Sequence, residues 1–81
     1  MARLPQVSGK RLITFLQSLG YVVVRRRGSH VRLGKMTGAG EHKITVPDHK
    51  ILAKGTLSDI LSAVSVRSDI AKSDLLRRLR G

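Results

Sequence analysis

The sequence predicts an α+β two-layer sandwich, in which a three-stranded antiparallel sheet is covered on one face by two helices and followed by an extra C-terminal helix. Two observations carry this reading. Apolar residues recur at helical spacing near both ends of the chain, and between them lie β-branched runs joined by glycine-bearing turns. The 81 residues suit one domain, 1–81, and a domain of this size buries only about 60–65 % of its unfolded surface. No internal repeat, low-complexity tract or linker divides it.

Helix one is expected over 9–19. Ser8 caps it, Leu12, Phe15, Leu16 and Leu19 form its apolar stripe, and Gly20 stops it in the left-handed region. Tyr21-Val22-Val23-Val24 then opens a strand that runs through Arg25-Arg26-Arg27. Gly28-Ser29 suits a type II′ turn into a second strand, His30 to Leu33. That register pairs Arg27 with His30, Arg25 with Arg32, Val24 with Leu33 and Val22 with Lys35. Alternation then puts Val22, Val24, Val31 and Leu33 on the core face, and Tyr21, Val23, Arg25, Arg27, His30 and Arg32 on the other. Arg26 falls on the apolar side and must reach water from there.

Gly34 to Glu41 reads as a flexible hairpin tip before a third strand, His42 to Val46, with Ile44 and Val46 in the core and Lys43 and Thr45 on the basic face. Pro47 ends that strand, and a loop from Asp48 to Gly55 carries His49, Lys50 and Lys54. Helix two opens at Thr56 as N-cap, has Asp59 in its first turn, and packs Leu57, Ile60, Leu61 and Val64 on the sheet. A weaker third helix, Asp69 to Leu79, follows Ser68 as cap. It carries Ile70, Leu75, Leu76 and Leu79 as apolar positions and Arg77, Arg78 and Arg80 at its C-terminal end, ready to fray or to dock on a partner.

Charge narrows the partners. Sixteen Lys and Arg against five Asp and Glu give +11, beyond the magnitude of about 2–8 that solubility asks of a small domain. Such a field attracts polyanions, nucleic acid first, with an acidic protein or an anionic membrane surface as alternatives. Tyr21 and Phe15 are the sole aromatics, so contact through backbone and shape is expected rather than stacked bases. The absence of cysteine leaves stability to packing and fits a reducing cytoplasm. No apolar run reaches the ~18 residues of a membrane span, and Met1-Ala2-Arg3-Leu4-Pro5 lacks the pattern of a signal peptide. A soluble, cytoplasmic protein without a membrane partner is expected.

Among side chains able to move a proton near neutrality, His30 is the best placed. A free imidazole titrates near ~6.5 and can take a proton from a ribose 2′-hydroxyl or give one to a leaving 5′-oxygen. Arg25, Arg27 and Arg32 beside it can bind the scissile phosphate and offset its growing charge. Such chemistry needs neither metal nor cofactor and confines cleavage to RNA. The alternative is an ordinary histidine on an exposed strand. A zinc site from the three histidines lacks cysteine and regular spacing. His42 is expected to be solvated, and His49 to order its loop or touch phosphate. The scattered carboxylates form no catalytic pair.

Four blocks carry a resemblance: Ser8-Gly9-Lys10 with a helix ending in Leu19-Gly20-Tyr21; Arg27-Gly28-Ser29-His30; Thr45-Val46-Pro47-x-His49; and Lys54-Gly55-Thr56-Leu57-x-x-Ile60-Leu61. In this order and spacing the chain resembles the HicA family of toxin–antitoxin systems over about residues 5–66, leaving 67–81 as a helical extension. The resemblance implies a fold like a double-stranded RNA-binding domain and a ribosome-independent mRNA endonuclease (an mRNA interferase) that arrests translation and growth. It also implies His30 as catalytic residue and a HicB-type antitoxin as neutralising partner. Expected RNA contacts are Lys10, Arg25, Arg27, Ser29, Arg32, Lys43, His49, Lys50 and Lys54, with no metal ligand. Two other readings stay open: a non-catalytic RNA-binding module with a basic sheet face, and an inactive member that acts through a partner protein.

Overall fold

The computed structural model describes residues 4–81, so the first three residues of the N-terminal stretch lie outside the described residues. The elements run α1 (Gly9–Ser18), β1 (Val22–Arg27), β2 (His30–Thr37), β3 (Gly40–Pro47), α2 (Lys54–Ser68) and α3 (Lys72–Arg80). This is the expected α+β order, with an antiparallel sheet of strand order β1-β2-β3.

Helix α1 forms where the sequence asks. The Ser8 hydroxyl accepts from the Arg11 amide at 3.0 Å, and Leu12, Ile13 and Leu16 are buried along one side. Its end is a Schellman motif. Gly20 takes φ +100, its amide donates to the Gln17 carbonyl and the Tyr21 amide to that of Leu16, both at 3.0 Å. At the other end Gly9 lies so close to the end of β3 that a Cβ there would overlap the Pro47 carbonyl oxygen. Its amide donates to the His49 carbonyl at 2.8 Å. The backbone that follows β3 is thereby fixed against the first turn of α1.

Between β1 and β2 the turn is as expected. Gly28 has φ +58 while Ser29 does not have a positive φ, the φ signs of a type II′ turn, and Arg27 pairs with His30 and Arg25 with Arg32. Beyond Arg25 the predicted register fails. A bulge between Val23 and Arg25 advances β1 by one residue, so that Val23 rather than Val24 faces Leu33, and Val22 faces Gly34 rather than Lys35. The faces change accordingly. Tyr21 is buried, Val23 shares the side of its partner Leu33 yet stays 38 % exposed, and Val22 and Val24 are turned to solvent, 61 % and 55 % exposed. Val31 and Leu33 on β2 stay in the core as expected.

The stretch expected as a long flexible tip is mostly strand. β2 and β3 pair without interruption from His30–Pro47 to Thr37–Gly40, which leaves Gly38-Ala39 as the turn. The Thr37 hydroxyl tightens it, donating to the Gly40 carbonyl at 2.7 Å and accepting from the Ala39 amide at 3.2 Å.

Helix α2 begins a turn earlier than Thr56 would set it. Ala53, extended at φ −59 and ψ 138, is the N-cap without a side-chain cap, and its carbonyl accepts from the Leu57 amide at 3.0 Å. Thr56 therefore sits inside the first turn. Lys54 belongs to the helix and not to the loop. Leu57, Ile60, Leu61 and Val64 are buried as expected, together with Leu52 and Val7, which the pattern had not singled out. Ser68 closes α2 and does not cap α3. Asp69 turns the chain in the left-handed region at φ 59, a conformation that Asp tolerates better than most residues. Ala71 is the N-cap of α3.

One hydrophobic cluster joins the helices to the inner face of the sheet through Val31, Leu33, Ile44 and Val46. α3 is part of it: Leu75, Leu76 and Leu79 are buried there, and the Arg11 guanidinium donates to the Leu79 carbonyl at 2.7 Å. Among the described residues, the outer face of the sheet carries no helix, and it holds the charge.

Candidate functional site

The site follows from the tight turn and strand alternation. With Arg27 opposite His30, and Arg25 opposite Arg32, which in turn faces Thr45 of β3, these five side chains share the outer face and line one recess. All are exposed. Among the described residues, Arg25, Arg27 and Arg32 have no carboxylate partner. Three uncompensated guanidiniums thus surround one imidazole, an arrangement that attracts a phosphodiester and presents planar, fork-like donors to its oxygens. Arg26 points the other way, as its register requires, and pairs with Asp48 at 3.0 Å.

A second recess, lined by Ser8, Lys10, Asp48, His49 and Lys50, opens at the N-terminal end of α1. It adjoins the first through backbone: the Asp48 amide donates to the Ser29 carbonyl at 2.6 Å, and His30 pairs with Pro47. Ser29 therefore stands between the two recesses.

The expected site residues fall into groups. Arg25, Arg27, His30 and Arg32 come together, as do Lys10, His49 and Lys50. Lys43 shares the outer face, two positions from Thr45 on β3, but is 3.7 Å from the Glu41 carboxylate. Lys54 lines neither recess. Thr45, which alternation puts on the basic face, joins the first recess beside Arg32. Local pattern marks Ser8 as a cap and Asp48 as loop, and their part in the second recess arises from the tertiary approach of α1 to the end of β3.

The three histidines stand in different surroundings. His42, expected to be solvated, is buried, 8 % exposed, because the longer β3 places it on the inner face beside Ile44. Its Nδ1 lies 2.7 Å from the Tyr21 hydroxyl, with the rings edge to face at 5.7 Å. The Lys35 ammonium lies over the Tyr21 ring at 5.6 Å and donates to the Leu19 carbonyl at 2.6 Å, closing the end of α1. Burial pushes the His42 pKa down, the Arg67 charge adds to that shift, and burial pushes the Tyr21 pKa up. His42 is therefore a structural group.

A pH dependence follows. The unfolded chain protonates His42 near its ordinary 6.5, whereas the folded chain resists protonation until lower pH. The resulting stability is complete above about pH 6.5 and is lost as pH falls toward the depressed folded value. Chemical denaturation at about pH 7 and pH 5 is expected to show this loss, reduced in His42→Gln, which keeps an acceptor for Tyr21 without the titration.

Among the described residues, no helix is long and apolar enough to cross a membrane. The family model described as "HicA toxin of bacterial toxin-antitoxin" matches residues 9–66. That span includes every residue lining the first recess and stops before α3. No curated protein and no solved structure matches the chain.

Proposed function

The chain belongs to the HicA toxin family of bacterial toxin–antitoxin systems, and from that premise we propose that it is a ribosome-independent, metal-independent endoribonuclease that cleaves mRNA through His30. The observation that carries this reading is the grouping of His30 with Arg25, Arg27 and Arg32 in one exposed recess. His30 takes the proton of a ribose 2′-hydroxyl, and the 2′-oxygen attacks the adjacent phosphorus. The bond from phosphorus to the 5′-oxygen breaks, water protonates the leaving oxygen, and a 2′,3′-cyclic phosphate remains. The arginines hold the phosphate and offset the charge that grows on it during in-line attack. Ser29, Lys10, His49 and Lys50 carry the flanking backbone around the end of the sheet, and Lys43 and Lys54 add longer-range attraction. A HicB-type antitoxin that covers this face neutralises the toxin, which acts in the cytoplasm.

Induced expression in a bacterial host tests the biological part. Growth arrest with loss of full-length mRNA, relieved by a co-expressed HicB-type protein, is the expected result; normal growth with intact mRNA would contradict it.

The electrostatic part makes its own prediction. In the His30→Ala background, Arg32→Ala is expected to weaken RNA binding and to reduce the slope of log affinity against log salt by about 1. Arg26→Ala, whose guanidinium already serves Asp48, is expected to leave that slope unchanged. Filter binding across a salt series reads both.

A further inference from the structure

Arg26 stands apart from the other arginines of its strand. Its partner across the β1–β2 ladder is the buried Val31, so the side chain leaves the sheet on the inner side. Its guanidinium meets the Asp48 carboxylate at 3.0 Å, and Asp48 directly follows β3, so the contact spans the two edge strands of the sheet. Asp48 is held through backbone as well. Its amide donates to the Ser29 carbonyl at 2.6 Å, and the carbonyl of the next residue, His49, accepts from the Gly9 amide at 2.8 Å. A Cβ on Gly9 would lie 2.8 Å from Asp48 Cα, so α1 presses on the same point. β1, the Gly28-Ser29 turn, the end of β3 and the first turn of α1 thus meet at one residue. Ser29 precedes His30 in the chain, whereas Asp48 lines the second recess.

We propose that Arg26 and Asp48 are a positioning pair for RNA cleavage: their ion pair ties the two edge strands together at the Gly28-Ser29 turn and so fixes the His30 imidazole relative to a phosphodiester held between the two recesses. This rests on the ribonuclease reading above, and neither residue is assigned a contact with the reacting atoms. Other uses of the pair fall short. For affinity, a carboxylate among Lys10, His49 and Lys50 weakens the attraction of a polyanion, in a chain that has only five acids against sixteen Lys and Arg. For stability, an ion pair whose side chains are 53 % and 24 % exposed has small value. Geometry is where a weak tether has a large effect, because misplacing a catalytic group by about 1 Å can cost ~10²-fold in rate.

The test compares the native chain with Arg26→Ala, Asp48→Asn, the double variant and Arg26→Lys. Single-turnover cleavage over a series of protein concentrations separates the saturating rate from the half-saturating concentration. Each of Arg26→Ala and Asp48→Asn is expected to lose about tenfold in saturating rate, within the scale of such a misplacement. Half-saturation should move by less than about twofold, the pattern of an interaction that matters in the transition state. The double variant should be no slower than the slower single one, since both remove the same contact, and Arg26→Lys, which keeps a cation, should recover most of the rate. Hydrogen exchange at the Asp48 amide should quicken about tenfold in Arg26→Ala, with the amides of the β2 core residues Val31 and Leu33 unchanged. Unchanged rates, additive losses, or an Asp48 amide that exchanges as in the native chain overturn the proposal, as does a loss confined to half-saturation, which would make the pair an RNA contact. A native chain that cleaves no RNA defeats the ribonuclease reading instead, and the exchange measurement still decides the tether.

Discussion

Replacing His30 with alanine is expected to slow RNA cleavage by about 10²–10⁴-fold, the contribution of a positioned proton-transfer group. The side chain is exposed on β2 and lies outside the hydrophobic cluster. Its removal should therefore change the unfolding free energy by no more than about 0.5 kcal/mol. RNA binding should persist, because Arg25, Arg27 and Arg32 remain. This combination of lost turnover, retained affinity and retained stability separates a catalytic histidine from a structural one. Single-turnover kinetics on a short RNA, alongside denaturation and binding curves, reads all three, and unchanged turnover would remove His30 from the mechanism.

Ending the chain after Ser68 is expected to abolish cooperative folding. The family match stops at residue 66, which invites the idea that α3 is dispensable. Yet Leu75, Leu76 and Leu79 are buried in the same cluster as α1, α2 and the sheet, and burying each contributes about 1.5–3 kcal/mol. Together they approach the whole of the about 5–15 kcal/mol by which such domains are stable. A milder form of the experiment is Leu75→Ala, fully buried in the native chain, expected to cost about 2–5 kcal/mol and to lower the denaturation midpoint accordingly. A truncated chain that unfolds cooperatively near the native midpoint would show that α3 is an ornament on a complete core.

Much of the site was legible because a short turn fixes its register. Gly28-Ser29 determines that Arg27 faces His30, and two-residue alternation then collects Arg25 and Arg32 on the same side. The reading failed where alternation itself was interrupted. A β-bulge has no sequence signature in Val22-Val23-Val24, since three consecutive valines fit either face, and one inserted residue exchanges the inward- and outward-facing sets. The glycines at 34, 38 and 40 suggested a mobile tip, but Gly34 is a paired strand residue and only Gly38-Ala39 turns. His42 followed from the same error, since a strand beginning there would leave it at an open end. Thr56 has good capping chemistry, but that preference is worth only about 1 kcal/mol, and α2 starts from Ala53 without a side-chain cap. The basic outer face survived these errors because it depends on the tight-turn end of the hairpin, away from the bulge.

His30 and its arginines are expected to cleave RNA by using the ribose 2′-hydroxyl. The most direct measurement incubates the native chain and His30→Ala with a single-stranded RNA and its DNA counterpart in the presence of EDTA, and identifies the ends produced. Cleavage of RNA alone, by the native chain alone, with a 2′,3′-cyclic phosphate or 3′-phosphate at the new end, is the predicted result. Cleavage of DNA, dependence on a divalent cation, or equal activity in His30→Ala would contradict it.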